Sequence, residues 1–384
     1  MKRLSLVFSV MLILVMVFSG YQCSSTELTS AKLYIQQKNL DKALEALNKE
    51  VEKNPKSDEG YYLMGYVYGE KERTDKMVDA YTKSLSISKK YEKDIKAARK
   101  SFWANFFNRG VGFFNRAVSN TNEDSSKMYF ERSIFTFEQA VITEPDSPDT
   151  YKNMAFVYMN LQKYDEAIPP LKKIIELENS LDGYKFLGEI YYNQGQMLQS
   201  KGTHEDSVEA KKLFVSAVEV LQEGKKLYPD DGDILLFLSN SYIAADKIDV
   251  AIDAFKAGVE KDPTNRFYRY NYGVLLLGAN EFEKAAEQFK AAIELDSKYE
   301  NAIYNLAVTY VKWGAKLGKE AEDKGVEATE SKDKYRLSLP HLEAYVGMKT
   351  DDIAVWELLG KVYSVLGMLD DAQKAFDKAD ALRK

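Results

Sequence analysis

The sequence predicts an all-α chain built by repeating one helical hairpin. Three observations predict it. Large and small apolar residues recur at fixed helical offsets along almost the whole chain. Successive sets stand about 34 residues apart, as Leu235 and Arg269 do. Only 8 prolines and 21 glycines occur in 384 residues, which leaves little sequence for long linkers.

The repeat is read as follows. Tyr151, Met154, Ala155 and Tyr158 share one helical face, and Ala167, Leu171 and Ile174 share a second. The same offsets select Leu235, Leu238, Ser239, Tyr242, Ala251, Phe255 and Gly258. They also select Arg269, Tyr272, Gly273, Leu276, Ala285, Phe289 and Ala292, and then Trp356, Leu359, Gly360, Tyr363, Ala372, Phe376 and Ala379. A small residue (Gly65, Gly188, Gly273, Gly360) lets the second helix approach the first. Proline at Pro55, Pro145, Pro229 and Pro263 stops the second helix.

About nine units follow, near residues 24–57, 58–90, 91–147, 148–180, 181–231, 232–265, 266–299, 300–350 and 351–384. Three are stretched between their helices. Unit three runs from Phe106, Gly110 and Phe113 to Ser133, Phe137 and Ala140. Unit five runs from Tyr184 to Ala217, Leu221 and Gly224, and unit eight from Ile303 to Ser338, Leu342 and Tyr345. The inserted sequence of units five and eight is polar and helix-compatible, as in residues 316–328, so elongated hairpins are expected there.

These residues resemble the tetratricopeptide repeat family, over residues 23–384. The resemblance implies a right-handed superhelical solenoid with helix A of each unit on the concave face. It also implies that partners touch helix A side chains pointing away from helix B. Here those are Tyr62 and Tyr66, then Phe107, Val111 and Phe114, then Lys152, Phe156 and Met159. Further on they are Lys185 and Tyr192, Asn240, Phe267 and Tyr270, and Tyr304. An aromatic lining of this kind suits apolar or extended peptide segments. Asn153, Asn271 and Asn305 sit where asparagine is common in the repeat, which does not by itself make a carboxylate clamp.

The amino terminus has the layout of an export signal over residues 1–22. Lys2 and Arg3 precede the apolar stretch 4–18, and Ser19 and Gly20 follow it. The stretch is shorter than the ~20 residues of a membrane span. Cys23, the single cysteine, then resembles the acylated first residue of a mature bacterial lipoprotein. Gly20, Tyr21 and Gln22 depart from that family's aliphatic-then-small pattern. Cleavage near Ser19 or Gly20, with Cys23 a free thiol, is the alternative.

Catalytic apparatus is not legible. His204 and His341 lie far apart with no neighbouring histidine or cysteine, so no metal site is expected. Gly110 and Gly112 fall in a helix and lack the strand of a nucleotide fold. Asp230, Asp231 and Asp233 fit a turn and helix cap better than a calcium loop. The net charge of −6, with no run of five or more basic residues, disfavours nucleic acid. The sequence therefore predicts no cofactor and no enzyme. It predicts an exported, lipid-anchored scaffold of a bacterial cell envelope, or a periplasmic or secreted one, that binds proteins or peptides. Capture of a glycan or other solute for an outer-membrane transporter is the alternative.

Overall fold

The computed structural model describes residues 25–383, so the signal region and Cys23 lie outside the described residues. Eighteen helices and no strand occur among them. In order they are α1 (Thr26–Gln36), α2 (Leu40–Lys53), α3 (Asp58–Glu70), α4 (Thr74–Ile87), α5 (Glu92–Val118), α6 (Glu123–Thr143), α7 (Pro148–Asn160), α8 (Tyr164–Glu178) and α9 (Leu181–Lys201). The second half holds α10 (His204–Leu227), α11 (Gly232–Ala244), α12 (Ile248–Lys261), α13 (Arg266–Gly278), α14 (Phe282–Leu295), α15 (Glu300–Lys324), α16 (Thr329–Met348), α17 (Ile353–Val365) and α18 (Leu369–Leu382). They form two compact units that divide after Lys173, within α8.

The two helices of a pair lock through one contact. Where the first helix has glycine at the small position, the second sets a large side chain against its backbone. A Cβ on Gly273 would stand 2.8 Å from the Phe289 ring, and one on Gly360 would stand 2.7 Å from Phe376. Phe289 and Phe137, the latter facing Gly110, are both fully buried. The rings are fixed by dense packing, so the glycines are required by close approach rather than by backbone conformation.

The elongated pairs repeat that contact one heptad further out. Gly188 faces Leu221, and seven residues along, Gly195 faces Phe214. In the α15–α16 pair Ala307 and Leu342 share a core cluster, and Gly314 then meets Tyr335. In α5–α6 the second step uses Ala117 and Phe130. A seven-residue step keeps the same seam facing its partner, so the hairpins lengthen without a new packing rule.

Turns inside the short pairs are also alike. Lys38, Glu72, Gln162, Asp246 and Asn280 all lie in the left-handed region, with φ between 55° and 60°. Each is followed by an amide that donates back to the preceding helix, as Arg73 does to the Tyr68 carbonyl and Lys163 to the Tyr158 carbonyl, both at 2.9 Å. This closes the orphan carbonyls of the helix end. Between pairs, one repeat position pins the turn. The Tyr151 hydroxyl donates to the Pro145 carbonyl, Arg269 Nε to that of Pro263, and Trp356 Nε1 to that of Thr350. Asp231, in the acidic turn, caps α11 by accepting the Ile234 amide at 2.9 Å.

In the first unit α5 departs from the repeat. It spans 27 residues and begins well before Phe106, its first motif residue. The early turns set Ile95 against Met77 and Tyr81. Arg99 donates twice to the Thr143 carbonyl, at 2.6 and 2.9 Å, and Trp103 Nε1 donates to Thr150 at 3.0 Å. This leading arm ties α4 to the far end of α6 and the start of α7. In the second unit each pair neighbours the next from α9 to α18, and α11 packs mainly on α10 and α13.

Gly273→Ala is expected to lower stability by about 1–2 kcal/mol, although alanine is the better helix former. Gly112→Ala, in mid-α5 with nothing within 4 Å, should be neutral or stabilising. Urea unfolding of both variants checks the opposite signs.

Candidate functional site

The residues expected to meet partners lie on the first helix of each pair, and most are half-buried. In the first unit they lean on other rings. Tyr62 stacks on Tyr91 with centroids 4.7 Å apart and planes within 5°. Tyr66 meets Phe102 at 6.1 Å. Phe107 stacks on Trp103 at 5.2 Å and tilts against Phe137. Phe114 packs on Phe130, and Val111 joins the same cluster. On α7, Phe156 and Met159 are half-buried, and the Lys152 ammonium stands 5.8 Å from the Phe156 ring.

In the second unit the same positions are also engaged. Lys185 pairs with Asp233 at 3.3 Å. Tyr192 sits between Phe214 and Phe237, and burial raises the pKa of its hydroxyl. Asn240 is half-buried. Phe267 is edge-on to Tyr299, and Tyr304 packs on Tyr345 at 5.1 Å.

Tyr270 requires a correction. It is only 5% exposed, with Tyr299 closing over its ring at 5.0 Å. Its hydroxyl accepts from Asn305 Nδ2 at 2.9 Å, and burial pushes its pKa up to about 12. It is a packing residue, not a free anchor. The asparagines are committed likewise. Asn271 is fully buried, accepting from Ser239 Oγ and donating to the Phe267 carbonyl, both at 2.9 Å. Asn153 donates to the Asp149 carbonyl.

The sequence reading missed Tyr91, Phe102, Trp103 and Tyr299, which do this covering. Phe102, Trp103, Phe106 and Phe107 have the spacing of a continuing helix, which could have shown that α5 starts early. It also missed the open side of α5. Asn105, Asn108, Arg109, Gly112, Phe113 and Arg116 line a concavity of about 430 Å³ there. A second, of about 560 Å³, lies between α16, α17 and α18, under Trp356, Leu359 and Tyr363. The Tyr363 hydroxyl donates to Glu343 at 2.7 Å on its rim.

His204 is exposed at the start of α10, and His341 stacks on Tyr310 in α16. Among the described residues no group of three or more His, Cys, Asp or Glu is placed to hold a metal ion. Among those residues, too, no helix is long and apolar enough to cross a membrane.

The geometry defines a helical-repeat chain whose first helices carry its half-exposed rings. Comparison with known proteins says which repeat. Residues 58–91 and 148–180 match one model of the tetratricopeptide repeat, and residues 236–300 match another. Those three segments are tetratricopeptide repeats.

Among curated proteins, the peroxisomal targeting signal receptor of Candida glabrata is 28% identical over 126 residues, 32% of this chain and 20% of the receptor. The receptor of Saccharomyces cerevisiae is 23% identical over 197 residues, 44% of this chain and 32% of the receptor. Photosystem I assembly protein Ycf3 of Rippkaea orientalis is 32% identical over 85 residues, 22% of this chain and 48% of that protein. The chain therefore spans less than half the length of each of these relatives. Among solved structures, MamA is 24% identical with a TM-score of 0.35, covering 47% of this chain and 95% of that one. The Thermus thermophilus protein TTC0263 is 18% identical with a TM-score of 0.35, covering 52% and 98%.

Two substitutions test the packing. The Tyr81 hydroxyl is buried without a hydrogen-bond partner among the described residues. Tyr81→Phe should therefore raise stability, by about 1 kcal/mol, in thermal or urea melts. Burial, and next the Lys290 ammonium, hold the His341 imidazole below its usual 6.5. The unfolded chain takes up that proton first, so stability falls as pH drops through 6.5. His341→Gln should flatten that part of the stability–pH curve, measured between pH 7.5 and 5 as differences from the unsubstituted chain.

Proposed function

We propose that this chain is a non-enzymatic scaffold of a bacterial cell envelope that holds partner proteins or peptides on the first helices of its repeats. The observation that carries the reading is the side-chain economy of those helices. Many of their large side chains lock a helix pair or cover a neighbouring pair, and within each unit half-exposed rings such as Tyr62, Phe156, Tyr192 and Phe267 stay open. Rigid, half-buried rings are good anchors because little rotamer freedom is lost when a partner covers them. The names of the curated relatives, a targeting-signal receptor and an assembly protein, agree with a binding role.

Export and anchoring rest on the sequence. Lys2 and Arg3, the apolar stretch 4–18 and Cys23 form a signal followed by an acylation site. Two or three acyl groups on Cys23 would hold the chain at a membrane more firmly than a single chain does.

Two measurements test this. Intact-mass analysis of the protein purified from a bacterial envelope should find an acylated Cys23 as the first residue, and a free amino terminus near Gly20 or Tyr21 would remove the anchor. Capture of envelope proteins by the chain should fall at least tenfold in Phe156→Ala/Met159→Ala, with the helical signal intact. Unchanged capture would exclude the α7 strip.

A further inference from the structure

We propose that the open side of α5 is a docking site for an extended acidic peptide segment of a partner protein, with two carboxylates three residues apart. This rests on the scaffold reading and gives it a ligand chemistry.

The first argument is charge. From residue 95 to residue 122 the chain has Lys96, Arg99, Lys100, Arg109 and Arg116 and no carboxylate, in a chain whose net charge is −6. α5 is thus basic beyond its first turn. Arg99 is spent on the Thr143 carbonyl and has Glu144 3.8 Å away. Arg109 gives one arm to Glu72 at 2.5 Å. The Arg116 guanidinium lies over the Phe113 ring at 5.9 Å and has no carboxylate within ion-pair distance among the described residues. Glu72 is therefore the one carboxylate paired to this concavity, against two arginines.

The second argument is Gly112. Glycine inside a helix costs about 1 kcal/mol relative to alanine. Gly65, Gly110, Gly188, Gly273 and Gly360 carry that cost because a side chain of the pairing helix lies against them. Gly112 has nothing within 4 Å of where a Cβ would stand, and its backbone is helical. The fold does not need it. A chain passing over α5 would, because a bare backbone lets a second backbone come close.

The third is geometry. Asn105, Asn108, Gly112 and Arg116 are spaced to lie along one side of the helix, around the 430 Å³ concavity. Arg109 and Arg116 are seven residues apart, about 10 Å along a helix. Three residues of peptide in the extended polyproline II form rise about 9 Å and bring the side chain back to the same face. A segment with acidic residues at that interval would place one carboxylate on Arg116 and one on the remaining donors of Arg109. Its backbone would cross Gly112. Asn105 and Asn108, each with an amide donor and acceptor, face the rest of its main chain, and the half-buried Phe113 ring gives it an apolar floor.

The test uses the full chain and fluorescein-labelled twelve-residue peptides of Gly, Ser and Leu. One carries two glutamates three residues apart, one carries them six apart, and one carries glutamines instead. Anisotropy should show saturable binding of the first, at least tenfold weaker binding of the other two, and weakening in added salt. Gly112→Leu and Arg116→Ala should each cut binding at least tenfold while melting no lower than the unsubstituted chain. Gly112→Leu is the sharper variant, since it removes no charge and the site has room for its side chain. The proposal is overturned by no binding of the first peptide, by equal binding of the six-apart peptide, by insensitivity to Gly112→Leu, or by equal binding of a single-stranded oligonucleotide. If the peptide fails but the chain still captures envelope proteins, only this inference falls. If both fail, the scaffold reading falls with it.

Discussion

The structure depends on one contact, a large side chain of a second helix pressed onto the bare backbone of the first. Phe289 on Gly273, Phe376 on Gly360 and Phe137 on Gly110 are three instances, with ring and backbone closer than any Cβ would permit. That contact fixes the spacing within a pair, and the spacing fixes which face of the first helix is left over. Helix pairs made this way bury one face against each other and one against the neighbouring pair. Whatever is not claimed by either is available to a partner.

The elongated pairs show how far the rule extends. Gly195 with Phe214 and Gly314 with Tyr335 continue the seam of Gly188 with Leu221 and Ala307 with Leu342. Their outer turns leave large apolar side chains in solvent, Met197 at 63% and Val326 at 58% exposure among them. The long hairpins and the leading arm of α5 are the chain's departures from a plain repeat. The α5 departure comes with an unbalanced charge and with Gly112, which has nothing within 4 Å of where a Cβ would stand.

Much of the fold was legible because its determinants are local and periodic. Gly65, Gly273 and Gly360, with a large residue 16 positions later, announce a helix pair without any alignment. The stretched units were legible for the same reason, since the two halves of the motif remain intact on either side of the insert. The leading arm of α5 was not, because residues 92–103 carry no repeat position and are held by Thr143, Thr150, Met77 and Tyr81, which are distant in sequence. The site was legible only in part. Helix A spacing located the rings, but their exposure depends on what covers them. Tyr299, a turn residue outside the periodic set, is what buries Tyr270. The Ser239–Asn271 bond likewise joins residues 32 positions apart that no local pattern connects.

The central claim is that partners meet the first helices and leave the second helices bare. Site-specific photocrosslinking in the bacterial envelope tests it most directly. A photoreactive residue at Asn108, on the open side of α5, should trap a partner protein as a discrete adduct. One at Phe135, 60% exposed on the second helix α6, should not. Adducts from position 135 and none from position 108 would contradict the account.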